Sequence, residues 1–446
     1  MKQYSYRNIW QVAFPILLSL LMEHMIGLTD TAFLGRLGGH AGEVALGASA
    51  LGGVYYIAVF MLGFGFSVGA QILMARRNGE QRYREIGPIF QQSAVFLIFL
   101  AAVVFTFSKL FAPRILSNLI SSSEIYHATL QYLEWRVYGF FFIFLAVIFR
   151  AYYVAITRTK ILTINSIVMV LSNVVLNYGL IFGKFGLPAL GVAGAAIASS
   201  VAELVSLLFF VIYTSQKIDW RKYDLFRRTR FNLRQLGHVL SLSSWTMVQQ
   251  FVAVSTWFMF FIAIEHLGER PLAVTNIVRS VSSLLFIIAS SFATTSSSLV
   301  SNMMGAEQPQ QVMPTVWRVI RLCYMIILPL LAVILLIPHL VLRIYTDNLE
   351  LIDASVPALM VMSSAYLIQT SAFIWFNTVS GTGNTRAAFT LEMAAIISYA
   401  LYVYYVVIHL KADVAWCWTS EHLYGIVMFT LAFLYMCKAD WRSKKI

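Results

Sequence analysis

The sequence predicts an all-α integral membrane protein, with twelve transmembrane helices in two six-helix lobes related by a pseudo-twofold axis along the membrane normal. Three observations lead there. Of 446 residues, 59% are hydrophobic and only 12% charged, where a soluble domain usually carries about 25% charged residues. Apolar blocks of about 20 residues, enough to cross a bilayer as a helix, recur from end to end. Stretches of the first half return in the second at an offset of about 226 residues.

The spans are expected near 8–35, 44–75, 88–112, 128–155, 160–183, 189–215, 238–266, 272–302, 314–337, 352–381, 387–410 and 414–437. The first follows only two basic residues and has no small-residue cleavage site, so it reads as a retained helix and not a signal peptide. The second and sixth carry "MLGFGFSVGA" from Met61 and "GVAGAAIASS" from Gly191, small residues that let membrane helices approach closely. Charges within spans are few: Glu134 and Arg136 in the fourth, Glu203 in the sixth, Arg279 in the eighth, Glu392 in the eleventh, and Glu421 with His422 in the twelfth. Pairing or snorkelling accounts for them. Cys323, Cys417 and Cys437 lack disulfide or zinc-ligand spacing.

The net charge of +12 is a matter of topology, not of nucleic-acid binding. With both termini and the even-numbered loops on one side, that side holds 23 of the 32 Lys and Arg, counting Arg150 at a helix end, and the other side seven. The positive-inside rule then puts both termini in the cytoplasm, in the cytoplasmic (inner) membrane. The densest run, "KIDWRKYDLFRRTRFNLRQLG" from Lys217 to Gly237, lies on anionic headgroups. It divides an N-lobe (1–216) from a C-lobe (238–446), leaving 217–237 as the connecting loop.

The repeat supports this division. "RNGEQRYREI" from Arg77 matches "MGAEQPQQV" from Met304, "FRAYYVAITRTK" from Phe149 matches "FNTVSGTGNTRA" from Phe376, and "RLGG" at Arg36 matches "HLGE" at His266 with a few residues inserted in the first copy. Six spans per half return the chain to its starting side, so the halves share an orientation, as in transporters that work by alternating access. No HExxH, GxSxG or Walker lysine loop is present, which argues against an enzyme.

Within the first span stand Glu23, His24 and Asp30. Ionisable groups in hydrocarbon are functional candidates by default. Glu23 and Asp30 are seven residues apart, two turns along one helix face, while His24 is turned by about 100°. Pro15 removes a helix hydrogen bond and is either a simple kink or a moving hinge. In the fifth span Asn173 and Asn177 share a face at i and i+4. Two amide oxygens beside a carboxylate are hard ligands of the kind Na⁺ prefers.

At these residues the chain resembles the multidrug and toxic compound extrusion (MATE) family of cation-coupled exporters. The resemblance runs through Pro15 and "LTDTAFLGRLG", "GAQILMARRNGE" and "NVVLNYGLIFGKFGLPALGVAGAAIAS". It implies two six-helix lobes and an N-lobe cation site around the aspartate matching Asp30, with motif positions on Asn173, Asn177 and Ser199. Glu23 stands where a neutral residue is expected and is a second coupling candidate. Gln249 or Gln250 and Gln369 replace carboxylates that some members use in the seventh and tenth helices, so coupling is expected in the N-lobe. Trp245, Trp257 and Trp375 are candidate cavity aromatics that hold organic cations through their ring faces. The expected function is export of amphipathic, often cationic, organic compounds in exchange for Na⁺ or H⁺, by a monomer without cofactors. Na⁺ would sit at Asp30, Asn173 and Asn177. A lipid-linked oligosaccharide flippase needs a strongly cationic cavity, and a non-transporting scaffold leaves the Asp30 set unexplained.

Overall fold

The computed structural model describes residues 4–120, 122–226 and 232–443, and among them every regular element is helical. The first half comprises α1 (Tyr6–Gly35), α2 (Gly39–Gly79), α3 (Ile86–Leu119), α4 (Ser123–Arg136), α5 (Gly139–Ala155), α6 (Lys160–Phe182) and α7 (Gly191–Lys217). A single turn, α8 (Trp220–Tyr223), precedes α9 (Leu233–Glu265), α10 (Glu269–Gly305), α11 (Val312–Leu336), α12 (Pro338–Arg343) and α13 (Leu349–Gly381). The chain ends with α14 (Thr385–Val403), α15 (Val414–Cys417) and α16 (Ser420–Lys438). Hydrocarbon offers backbone groups no partner, so each apolar block satisfies its own as a helix. Among the described residues eleven helical segments are long and apolar enough to cross a membrane, and the bent pair α4–α5 brings the count to twelve. Within the basic loop 217–237, residues 227–231 lie outside the described residues.

The fourth span departs from expectation: it is two helices meeting at 52°, not one. The break falls beside Gly139. A Cβ there would lie 2.3 Å from Glu203 Oε2 and 2.5 Å from Arg136 Nη1, so the backbone turns where it meets a buried ion pair.

The two halves share their corners. After α2, Gln81 adopts a left-handed φ of 60° ahead of a 3₁₀ turn at Tyr83–Glu85. After α10, Glu307 does so at 56° ahead of Pro309–Gln311. Gly38 and Gly268 precede α2 and α10 with φ of 73° and 123°, where a residue with Cβ is strained. The first corner pair lies 226 residues apart and the second 230, because α2 has 41 residues and α10 has 37.

The chain forms two compact units, Leu18–Met247 and Met1–Leu17 with Val248–Ile446. Their boundaries fall inside α1 and α9, not in the connecting loop. α1 runs unbroken through Pro15, shortly before its boundary at Leu17. In the Leu18–Met247 unit the small residues serve close packing. Cβ atoms at Gly65 and Gly69 would meet α9 at 2.5 Å (Thr246 O) and 2.3 Å (Ser243 Oγ), and one at Gly194 would meet Leu180 O at 2.4 Å. A core of Leu34, Ala45, Ala48, Leu116, Tyr132 and Ala195 closes the end of the unit that carries the C-terminus of α1. In the other unit, Gly381 brings α13 against α10, where a Cβ would lie 2.6 Å from Ser297 O. All three cysteines are free thiols.

Candidate functional site

Three helices of the Leu18–Met247 unit converge on one carboxylate. Asp30, near the C-terminal end of α1, accepts hydrogen bonds at Oδ1 from Asn173 Nδ2 (3.1 Å) and Asn177 Nδ2 (2.6 Å), both on α6, and at Oδ2 from Ser199 Oγ (2.8 Å) on α7. A second layer locks the donors: Asn177 Nδ2 also donates to Asn173 Oδ1 (3.0 Å), Asn173 Nδ2 to Ser199 Oγ (3.1 Å), and Thr29 Oγ1 to Asn173 Oδ1 (3.2 Å). The i, i+4 spacing read from the sequence is what lets both amides reach one oxygen. An ionised carboxylate only accepts hydrogen bonds, so both amides turn their NH₂ groups toward it. That leaves Asn177 Oδ1 buried with no hydrogen-bond partner, an exception to the usual satisfaction of buried polar atoms.

Glu23 is not part of this cluster. Both its oxygens accept from Arg150 Nη1, at 2.8 and 2.9 Å, and Ser19 Oγ donates to Oε1 at 3.1 Å. Arg150, counted above as a helix-end cation, therefore reaches inward from α5. Arg136 on α4 forms a two-pronged pair with Glu203 on α7 (2.6 and 2.9 Å), and Tyr56 donates to the same carboxylate at 2.9 Å. The Arg136 guanidinium also stacks 3.6 Å from the Tyr56 ring centre. The sequence marked Arg136 and Glu203 as charges needing partners but not as partners of each other, and it did not mark Tyr56.

Asp30, Glu23, His24, Arg150, Arg136 and Glu203 all line one cavity of about 380 Å³ within this unit. That volume lies within the range of drug-sized ligand sites. Among the described residues no three His, Cys, Asp or Glu side chains gather as metal ligands, so a cation held here would rest on one carboxylate with amide and hydroxyl oxygens.

The other expected residues are scattered. Trp245 is half-buried in the Leu18–Met247 unit. In the other unit, Gln249 is buried with Oε1 unpartnered and Gln250 is half-buried. Gln369 donates to the Glu421 carboxylate at 2.5 Å, and Tyr399 donates to its second oxygen at 3.3 Å. Gln369 is thus tied to a carboxylate of the twelfth span, Glu421, a pairing that the sequence alone did not state. Trp375 is completely buried against Trp317 and Phe433, so it is a core residue and not a cavity wall. Trp257 packs on Phe261, and the Arg279 guanidinium lies 5.9 Å from its ring centre, a neighbour that repels cations.

A model of the MatE family matches residues 15–179 and 246–406, one copy in each half. The chain belongs to the MatE family. Relatives include the probable multidrug resistance protein NorM of Agrobacterium fabrum, 29% identical over 287 residues, covering 61% of this chain and 58% of that protein. The protein of the same name from Thermotoga maritima is 22% identical over 447 residues, covering 99% and 94%. In the first relatives matched, the alignment spans only 58% to 66% of their length. A solved structure described as an outward-facing multidrug resistance MATE family transporter superposes with a TM-score of 0.89 at 17% identity, covering 99% of this chain and 97% of that one. That likeness gives the MatE chain the twelve-helix fold.

Proposed function

We propose that this chain is a secondary exporter of small organic compounds, driven by entry of Na⁺ or H⁺ at Asp30 and working by alternating access. The observation that carries the reading is the carboxylate itself. Asp30 sits within a membrane helix, holds donors from two other helices, and lies beside a buried amide oxygen that has no donor. Hydrogen bonds to an ionised carboxylate are roughly twice as strong as neutral ones. A proton on Asp30 weakens the ties from α1 to α6 and α7. Na⁺ does the same by drawing Asp30, Asn173 Oδ1 and the orphan Asn177 Oδ1 toward itself as hard oxygen ligands. An ion that neutralises Asp30 therefore binds the two access states with different affinity, the condition for shifting their balance.

The multidrug-resistance names of the relatives support an organic substrate. The charge asymmetry of the loops supports both termini in the cytoplasm, the repeat supports lobes 1–216 and 238–446, and the unit boundary at Leu17 supports Pro15 as the hinge. The flippase alternative is disfavoured because each guanidinium facing the cavity, Arg136 and Arg150, is matched by a carboxylate, so the lining carries no excess positive charge for a pyrophosphate.

The test is flux through reconstituted vesicles. D30N should abolish ion-driven exchange of an organic substrate while the protein still folds and inserts. Undiminished exchange by D30N overturns the role of Asp30. A Na⁺ gradient at fixed pH, and then a pH gradient without Na⁺, identify the driving ion.

A further inference from the structure

Coupling at Asp30 leaves one part of the cavity unexplained. Asp30 is satisfied by its three donors, and Arg136 is closed off by Glu203 and Tyr56. The pair at Glu23 is open. Among the described residues Glu23 is the only hydrogen-bonding or ion-pairing partner of Arg150, and the contact uses Nη1 alone. Nε and Nη2 of Arg150 are left uncommitted. Both side chains line the cavity, with 15% of Arg150 and 34% of Glu23 exposed. The carboxylate is fixed from below by Ser19, whose hydroxyl is 2.7 Å from that of Ser166.

Consider what each class of ligand does to this pair. A monocation that takes Glu23 strands the Arg150 guanidinium in a poorly solvated cavity, and a monoanion that takes Arg150 strands Glu23. Breaking a half-buried pair by occupying one partner leaves an uncompensated charge, a cost smaller than for a fully buried pair but of the same sign. A neutral ligand leaves the pair shut and gains only apolar contact with Ile143, Val147, Met169 and Phe210. A ligand carrying both charges exchanges partners with the pair and strands nothing.

We propose that the Glu23–Arg150 pair is the recognition element for zwitterionic substrates: compact amphiphiles whose ammonium goes to Glu23 and whose carboxylate goes to the free Nε/Nη2 edge of Arg150. This rests on the exporter reading and names its substrate class. Arg150 supplies the planar two-donor edge that carboxylates prefer. With Asp30 saturated by Asn173, Asn177 and Ser199, Glu23 is the carboxylate left to meet an ammonium.

The experiment compares three fluorescent probes in proteoliposomes under the driving gradient: Nε-dansyl-lysine (zwitterion), its carboxamide (monocation) and its Nα-acetyl derivative (monoanion). Wild type should transport the zwitterion at least about tenfold better, as kcat/KM, than either singly charged probe, the factor that ~1.4 kcal/mol of stranded charge imposes. In E23Q/R150Q the preference should fall to within about twofold, while the carboxamide stays gradient-driven and dependent on Asp30. A preference that survives in E23Q/R150Q, or is missing in wild type that does transport the carboxamide, overturns this proposal and leaves the exporter reading standing. No flux of any probe through wild type under either gradient overturns both. If E23Q/R150Q does not accumulate, a dansyl-fluorescence titration of wild type decides. A Kd for the zwitterion well below that of the carboxamide supports the proposal, and equal values overturn it.

Discussion

Replacing Arg136 with Met is expected to destabilise the protein by about 3–5 kcal/mol, the usual cost of removing one partner from a buried ion pair. The structure supports the upper part of that range. Both partners are at most 9% exposed, the contacts are 2.6 and 2.9 Å, and Tyr56 both stacks on the guanidinium and donates to the carboxylate. Two unit charges about 4 Å apart attract by ~4 kcal/mol at an effective dielectric of about 20. E203Q strands the guanidinium instead and should cost a similar amount. R136M/E203M strands no charge and fills the space with apolar side chains, so it should recover most of either loss. The assay is equilibrium unfolding in mixed SDS and mild-detergent micelles, followed by circular dichroism, for wild type, both singles and the double. Single losses below about 1 kcal/mol, or losses that simply add in the double, would refute the view that this pair holds α4 to α7.

The remaining predictions use the same preparations. G139A pushes a methyl group into Glu203 Oε2 and Arg136 Nη1 and should cost about 1–3 kcal/mol by overpacking; in the R136M/E203M background most of that cost should vanish. N177A takes from Asp30 its shortest hydrogen bond; at about 1.5–3 kcal/mol for a bond to a charged group, ion-driven flux should fall by about tenfold or more while membrane insertion is unchanged. W375A empties a fully buried site and should lose about 3–5 kcal/mol of stability without altering which of several organic substrates the remaining folded protein prefers. G194A sets a Cβ against the Leu180 carbonyl, a backbone atom that cannot step aside, and should lower the SDS fraction at the unfolding midpoint.

The number and order of the spans were legible because a bilayer enforces helix length and apolarity, and both are written directly in residue order. The Asp30 cluster was legible for a related reason. A carboxylate in a lipid-soluble helix needs nearby donors, and Asn173 and Asn177 declare a shared face by their spacing. Partners across helices were not legible. Arg136 and Glu203 are 67 residues apart, and nothing in either local sequence states which helices pack together. Arg150 stands near enough to the end of α5 to pass for a snorkelling cation, and only the path of α1 beside it reveals Glu23 as its partner. The break at Gly139 follows Glu134 and Arg136 closely, but a charge within a span announces the need for a partner and not a bend. Trp375 shows the ambiguity of aromatics in such chains, where a ring serves as well in a core as in a cavity.

The four extra residues of α2 relative to α10 have a geometric meaning. Each residue of an α-helix advances the side-chain direction by about 100°, so four residues turn it by about 400°, a full revolution with only about 40° left over. An insertion of that size lengthens a span by about one turn and returns nearly every later side chain to the face it occupied before. One or two residues would have swung the C-terminal end of α2 by about 100° or 200°, carrying Gly65 and Gly69 away from α9. The two halves of this chain have therefore drifted apart in length by close to the smallest step that leaves their helix faces in phase.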